Sequence, residues 1–144
     1  MAETIIPRTD LPGATDAGVA DYILLIMEDC CNEKNQQRFI NGLKDVQKDS
    51  WSQFGKAYEH CTAHQQEQLL RDYAQDASHA KGLLARIRDR LAGKPFFYLL
   101  KEYTVEGYCT SEAGATQALA YLYIPGHYDP CTILAPDQHS WAIN

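Results

Sequence analysis

Apolar residues in this sequence recur every three or four positions in one segment after another, which is the spacing of one face of an α-helix. No segment before the C-terminal tail shows the strict alternation that is typical of a strand. We therefore predict an all-α fold over residues 1–144, a single-domain helical bundle of about six helices. An extended N-terminal arm is expected to precede the bundle, anchored by Ile5 and Ile6, and an irregular C-terminal tail is expected to follow it.

Each apolar stripe predicts the buried face of one helix. From a cap at Thr15 or Asp16 onwards, the stripes are Val19, Ile23, Ile26 and Cys30; Phe39, Leu43 and Val46; Trp51, Phe54, Tyr58 and Cys61; Leu69, Tyr73 and Ala77; Leu83, Leu84, Ile87 and Leu91; and Phe96, Leu99, Leu100 and Tyr103. The third stripe either continues the helix before it or follows a break. Thr62 and Gln65 have the spacing of a capping box. Gly93 is the expected positive-φ end of one helix, and Pro95 suits the first turn of the next.

The segment from Gly107 to Cys131 predicts a last helix and a rigid tail. Gly107 suits a positive φ at the end of the preceding helix. Thr110 or Ser111 can cap the new helix, and Glu112 then lies in its first turn, where exposed amides favour a negative charge. The buried side of this helix is expected to contain Ala115, Leu119 and Leu122, and Pro125-Gly126 should end it.

Aromatic residues with polar tips on a proline-stiffened segment can dock a partner at a low cost in ordering. We therefore expect a partner interface in this segment, formed by Tyr108, Thr110, Ser111, Glu112, Tyr121, Pro125, Gly126, His127, Tyr128, Pro130 and Trp141. The alternative is a tail that folds onto its own domain. His127 and His139 also lie in the tail, where either could approach a partner's ligand, although single histidines more often have packing or surface roles.

Composition and motifs exclude several classes of function. A net charge of −6 argues against nucleic acid as a partner, because phosphate binding needs a concentrated positive surface. The longest apolar run, Tyr22 to Met27, is too short for a transmembrane segment. The sequence has no glycine-rich dinucleotide turn, P-loop, CxxCH haem attachment or GxSxG nucleophile turn. We accordingly assign no catalytic, cofactor-binding or metal-binding residue to this chain.

The alternative function is a stand-alone helical metal-binding or redox protein that uses His60, Cys61 and His64. His60 and His64 would share one face of a continuous helix, with Cys61 beside them. The predicted cap at Thr62 would interrupt that helix, which favours exposed histidines near a helix junction instead.

The five cysteines can be read as thiols or as disulfides. Cys109 and Cys131 bracket the last predicted helix, so a bridge between them would attach the tail to the start of that helix. Cys30 or Cys31 could reach Cys61 if the first helices pack antiparallel. Each pairing requires Cα atoms within about 7 Å, and buried free thiols are the alternative, above all for Cys30 and Cys61.

Several short motifs, in this order and spacing, resemble one known family. They are Ile5-Ile6-Pro7, Pro12-Gly13-Ala14, Ala17-Gly18-Val19, FINGL from Phe39 to Leu43, GYxTSExG from Gly107 to Gly114, Tyr121, Pro125-Gly126-x-Tyr128 and Cys131. The chain thereby resembles the small subunit, called subunit 3 or gamma, of bacterial gluconate 2-dehydrogenase and the related FAD-dependent glucose and glucoside 3-dehydrogenases. Cys109 departs from the pattern, since relatives often have an aromatic residue there.

The resemblance implies a non-catalytic accessory subunit. Its expected partner is a large flavoprotein of the glucose-methanol-choline (GMC) oxidoreductase type, which carries the FAD and passes electrons to a cytochrome c subunit or another acceptor. The small subunit is expected to support folding of the flavoprotein or its export, which makes the periplasm the implied compartment. The cytoplasm is the alternative, because no twin-arginine leader is visible in the sequence.

Overall fold

The apolar stripes form helices in the structure, a computed structural model that describes residues 1–78, 93–120, 126, 131, 133, 136 and 138–140. In that part of the chain the α-helices are α1 (Ala2–Ile5), α2 (Val19–Asp29), α3 (Glu33–Phe54), α4 (Ala63–Ser78) and α5 (Phe96–Thr110). A 3-10 turn, Tyr58–His60, lies between α3 and α4, and a π-helical turn, Gly114–Ala118, follows α5. The described residues contain no strand, and the predicted all-α fold is confirmed.

Helix α5 lies at the centre of the fold and contacts α1, α2, α3 and α4. Its predicted core residues Phe96, Leu99 and Leu100 are buried, and Tyr103 packs against them half-buried. The Phe96 ring meets the ring of Phe39 on α3 with their centroids 5.5 Å apart, and that of Tyr73 on α4 at 5.9 Å. Aromatic pairs at these separations add to the stability that burial provides, so the start of α5 holds α3 and α4 together.

Helix α2 begins later than the sequence predicts. Gly18, with a φ of 66°, is its N-cap residue, and neither Thr15 nor Asp16 caps it. The Asp16 carboxylate instead accepts a hydrogen bond from the Gly13 N–H at 2.9 Å and forms an ion pair with Arg8. The buried residues of α2 are Val19, Ile23 and Met27.

The predicted burial of Cys30 is wrong. Helix α2 ends at Asp29, where the chain turns towards α3, and this leaves the Cys30 side chain exposed. Ile26, also predicted on the core face, is half-buried because the buried row of α2 follows a spacing of four residues throughout.

Helix α3 is continuous for 22 residues and includes Trp51 and Phe54. The third predicted stripe therefore begins as a continuation of this helix and does not follow a break. Phe39 and Val46 are buried as predicted, but Leu43 is 36% exposed and Trp51 is 57% exposed. The prediction that these two residues belong to the core is wrong. Gly42 lies between Phe39 and Val46 on the buried face, where a Cβ atom would overlap the Phe96 ring. The missing side chain therefore allows α3 and α5 to pack closely.

Two helix starts follow the expected capping chemistry. The Asn32 side chain accepts a hydrogen bond from the Asn35 N–H at 3.0 Å at the start of α3. At the start of α4, the Thr62 N–H donates to Gln65 Oε1 at 3.0 Å, and the Gln65 N–H donates to Thr62 Oγ1 at 3.3 Å. The predicted capping box is thus confirmed.

The stripe predicted on α4 is only partly buried. Leu69 is fully buried, whereas Tyr73 and Ala77 are half-buried. Leu70 is also buried, which the sequence reading did not predict. The helix predicted from Leu83, Leu84, Ile87 and Leu91 lies outside the described residues. Gly93 has the positive φ expected of it, 87°.

The N-terminal arm was predicted to be extended, but its first residues are helical. Ala2–Ile5 form a single helical turn, because the Ile6 N–H donates to the Ala2 carbonyl at 3.0 Å. Ile5 and Ile6 pack half-buried against the core, so their role as anchors is confirmed. A second contact joins Thr4 Oγ1 to the hydroxyl of the buried Tyr58, 3.1 Å away.

The Glu3 carboxylate fixes the loop that follows this turn. Its two oxygens accept hydrogen bonds from the backbone N–H groups of Arg8 at 2.9 Å and Thr15 at 2.7 Å. Partial burial acts to raise the pKa of Glu3, but these hydrogen bonds outweigh it and the pKa is lowered. The ionised carboxylate therefore stabilises the loop at neutral pH.

One buried hydroxyl on α5 predicts a stabilising substitution. Thr104 is fully buried, and its Oγ1 has no hydrogen-bond partner among the described residues. Because an unsatisfied buried hydroxyl costs free energy that an apolar isostere does not, Thr104→Val should raise the free energy of unfolding by about 1 kcal/mol. Urea denaturation followed by circular dichroism measures this change.

The matched control for Thr104→Val is Thr110→Val on the same helix. Thr110 is exposed, and its Oγ1 donates to the Glu106 carbonyl at 2.8 Å, so the control should leave the midpoint nearly unchanged. A loss of stability in Thr104→Val would show that the hydroxyl is hydrogen-bonded in solution, for instance to a buried water.

Candidate functional site

The predicted partner interface begins at the end of α5, where the structure places Tyr108 in the core. Its side chain is 7% exposed, and its hydroxyl donates to the Pro12 carbonyl at 2.7 Å. Burial raises the pKa of the Tyr108 phenol, which therefore stays protonated and able to donate at neutral pH. The prediction of Tyr108 as an interface residue is corrected: it attaches the N-terminal arm to α5.

Gly107 also has a different role from the predicted one. It lies inside α5 and does not have a positive φ, so it does not end that helix. A Cβ atom on Gly107 would come within 2.5 Å of Cδ1 of Tyr22 on α2. The glycine is needed for close helix packing, because α2 and α5 could not approach as closely with a side chain at this position.

Ser111 organises the turn after α5. Its Oγ donates to the Tyr108 carbonyl at 2.7 Å and accepts a hydrogen bond from the Gly114 N–H at 3.0 Å. This arrangement is that of a helix N-cap, so of the two predicted caps Ser111 is confirmed. The exposed Thr110 points its hydroxyl back to Glu106 instead, and Glu112 is exposed in the first turn as expected.

The helix predicted to run from here to Pro125-Gly126 is shorter than expected, and its described turn is π-helical. After Ser111 the chain forms the π-helical turn Gly114–Ala118, and Leu119 already has extended backbone angles, with φ −101° and ψ 147°. Glycine is required at position 114, because the Cβ atom of any other residue would overlap the Tyr108 carbonyl oxygen. π-helical turns are rare and are often found at functional sites.

The end of the tail returns to this turn. Nδ1 of His139 lies 2.9 Å from the Ala118 carbonyl, and the Ala120 N–H donates to the Ser140 carbonyl at 2.7 Å. These contacts close the base of a loop between Ala120 and Ser140. Of the residues described within that loop, Gly126 has a positive φ of 68° and is exposed, and Ile133 is 92% exposed.

Six of the predicted interface residues cannot be placed, because they lie outside the described residues. They are Tyr121, Pro125, His127, Tyr128, Pro130 and Trp141. The interface that the sequence predicts in this segment therefore stays a prediction. Thr110, Ser111, Glu112 and Gly126 are accessible to a partner to differing degrees, since Ser111 is half-buried and the other three are exposed.

No disulfide joins Cys109 to Cys131, or Cys61 to Cys30 or Cys31, in this structure. Sγ of Cys31 lies 3.2 Å from the Tyr103 hydroxyl, and Sγ of Cys61 lies 3.1 Å from Ser50 Oγ. Cys61 is buried, in agreement with the alternative of a buried free thiol.

The histidine and cysteine arrangement required for the alternative metal site is not formed. His60 lies in the 3-10 turn and His64 on α4, so no continuous helix carries both. Both histidines are exposed, whereas the Cys61 side chain turns inward to Ser50. Among the described residues no group of three potential metal ligands is gathered.

A groove of about 830 Å³ lies between α3, α4 and the start of α5. Tyr73, Phe96 and Phe97 contribute aromatic surface to it, and its charged lining residues are Glu33, Lys34, Arg38, Asp45 and Asp76. Ala77 and Gly93 also line the groove. We assign no ligand to it.

No helix in the described part of the chain has both the length and the apolar character needed to cross a membrane. The fold and the turn after α5 define a small all-α protein. The chain belongs to the gluconate 2-dehydrogenase subunit 3 family, whose family model matches residues 1–126. No curated protein and no solved structure matches it.

Membership of this family makes the chain a subunit of a multi-subunit dehydrogenase. The match covers the arm, all five described helices and the turn after α5, and it ends inside the loop that the tail closes. The exposed apolar residues of α2 and α3 were not identified from the sequence as a possible surface for contact with another subunit. A subunit must bury part of its surface against another chain. These residues include Leu24, Leu25, Ile40 and Trp51.

Proposed function

We propose that this chain is a non-catalytic accessory subunit of an FAD-dependent sugar dehydrogenase, specific for either gluconate or a glucoside. The observation that carries the proposal is the match of residues 1–126 to the subunit 3 family. Exposed apolar side chains support it: Leu24 is 64% exposed and Leu25 is 57% exposed on neighbouring positions of α2. Such residues are common at surfaces that another protein covers.

In this proposal the partner is a large GMC-type flavoprotein that binds the FAD and oxidises the sugar. The small subunit binds and stabilises the flavoprotein, and it assists its folding or its export to the periplasm. Electrons leave the flavin for a cytochrome c subunit or another acceptor. The reaction then needs no catalytic group from this chain, in agreement with the absence of catalytic motifs from its sequence.

The test is an affinity purification of the tagged chain from its native host. We expect a yellow complex with the absorption spectrum of a flavin, in which mass spectrometry identifies a large GMC-type flavoprotein. The complex should oxidise gluconate or a glucoside with an artificial electron acceptor, whereas the separated small subunit should not. The same tag without the chain is the control.

A colourless chain recovered alone would contradict the proposal. Metal content and oligomeric state would then be measured next, because the competing function was a stand-alone metal-binding or redox protein. A flavoprotein of another class in the complex would keep the accessory role but reject the GMC-type partner.

A further inference from the structure

The outward face of α3 combines exposed apolar and basic side chains. At 100° per residue, Ile40, Lys44 and Trp51 fall within about 40° of one another around the helix axis. Leu43 and Lys48 lie on either side of them. We call these five residues the outer face of α3: Ile40, Leu43, Lys44, Lys48 and Trp51.

All three apolar residues of the outer face are accessible in this chain. Ile40 is 46% exposed, Leu43 is 36% exposed and Trp51 is 57% exposed. The buried face of the same helix already contains Phe39, Gly42, Val46 and Ser50, so the outer face is not needed for the core. A rise of 1.5 Å per residue places Ile40 and Trp51 about 16 Å apart along the axis, which is about three helical turns.

The two lysines of the outer face are available to a partner. Lys44 and Lys48 are both exposed, and neither forms an ion pair with a described residue. By contrast, Lys94, just before α5, pairs with Glu102 at 2.7 Å. In a chain of net charge −6, an apolar row with two lysines along one side, neither of them paired with a described residue, fits a partner surface with an apolar groove and an acidic rim.

A second copy of this chain does not fit the outer face. Lys44 and Lys48 lie near the middle of the row between Ile40 and Trp51. Pairing two copies of α3 through this face, parallel or antiparallel, would therefore place lysine against lysine, and like charges at an interface disfavour association. The charge pattern selects a different, acidic protein.

We infer that the outer face of α3 is a docking surface for the flavoprotein subunit, which presents an apolar groove with acidic residues at its edge. This inference rests on the proposed function and adds a surface to it that is distinct in sequence from the C-terminal segment. Trp51 is the anchor of this surface, since tryptophan is enriched among the residues that dominate interface energies. Lys44 and Lys48 set the orientation and the rate of association.

The test measures the affinity of purified variants for the flavoprotein that copurifies with the wild-type chain. We expect Trp51→Ala to weaken binding about 30-fold, as for an interface hot spot. The double variant Lys44→Glu/Lys48→Glu should also bind more weakly, and its binding should lose the decrease with added salt that the wild type shows. Far-ultraviolet circular dichroism should be unchanged, because all three side chains are exposed.

Tyr98→Ala is the matched control. Tyr98 is 54% exposed, close to the 57% of Trp51, but it lies on α5 outside the proposed surface, so the affinity of this variant should equal that of the wild type. Wild-type affinity in Trp51→Ala and in the lysine variant would overturn the inference and leave the proposed function intact. Failure of the wild-type chain to capture any flavoprotein would overturn both. A wild-type homodimer that Trp51→Ala dissociates would show that a second copy covers this face.

Discussion

Leu99→Ala is expected to lower the free energy of unfolding by about 3 kcal/mol, because it removes buried methyl groups and leaves a cavity. Leu99 is fully buried in the first turn of α5, the helix that contacts all the other described α-helices. The surrounding helices cannot all move inward to fill the space, so little of the cavity should collapse. Such a loss is a large share of the stability of a domain of this size.

Urea denaturation at equilibrium, followed by circular dichroism, measures this loss. Val105→Ala on the same helix is the control, since Val105 is 41% exposed and its truncation should cost well under 1 kcal/mol. Similar losses in the two variants would mean that α5 does not form the centre of the fold in solution.

Gly42→Val is expected to cost about 3 kcal/mol, although it replaces a glycine inside a helix. A side chain at an ordinary helix position would gain up to about 1 kcal/mol over glycine. At Gly42, however, a Cβ atom overlaps the Phe96 ring, and this ring is held in place by its contacts with Phe39 and with Tyr73. Overpacking of a core costs about 1–3 kcal/mol, and the two further methyl groups of valine place Gly42→Val at the upper end of this range.

The neighbouring substitution Asn41→Val separates overpacking from helix propensity, since Asn41 is exposed on the same turn. It should change stability by less than about 0.5 kcal/mol. Adding Phe96→Leu to Gly42→Val should restore part of the loss relative to the sum of the two single variants, because the smaller side chain makes room. Strict additivity of the two changes would contradict a direct contact between the two positions.

Local signals in the sequence predicted two of the helix starts and part of the core correctly, but not the start of α2. The capping box at Thr62 and Gln65 involves residues three positions apart, so the sequence alone contains the whole interaction. The same holds for the Ser111 cap. Burial on α5 was also predictable, since Phe96, Leu99 and Leu100 follow one helical stripe.

The errors concern interactions that depend on a distant part of the chain. Gly107 could serve as a helix end or as a site of close packing, and only the position of Tyr22 decides between them. Trp51 continued an apolar pattern, but the pattern does not show that Gly42 and Ser50 already fill the buried face of α3. Rotation of a helix by one residue, about 100°, moves residues at the edges of its apolar face between core and surface, and apolar spacing alone does not resolve this.

The candidate interface shows the same limit. The sequence indicated correctly that Ser111 and Glu112 belong to a turn that begins a helical segment. It could not show that Tyr108 reaches Pro12, 96 residues away, and so belongs to the core. The π-helical turn requires glycine at position 114, because any side chain there would overlap the backbone of α5. Intrinsic helix propensity does not reflect such a contact.

The closed base of the C-terminal loop limits how far that segment can extend. A free tail of about 20 residues, fully stretched, spans about 66 Å. Because Ser140 is held at Ala120, the chain must go out and come back, and its farthest point lies within about 33 Å of that residue. Any protein surface that the loop touches must therefore lie within that distance of the turn after α5.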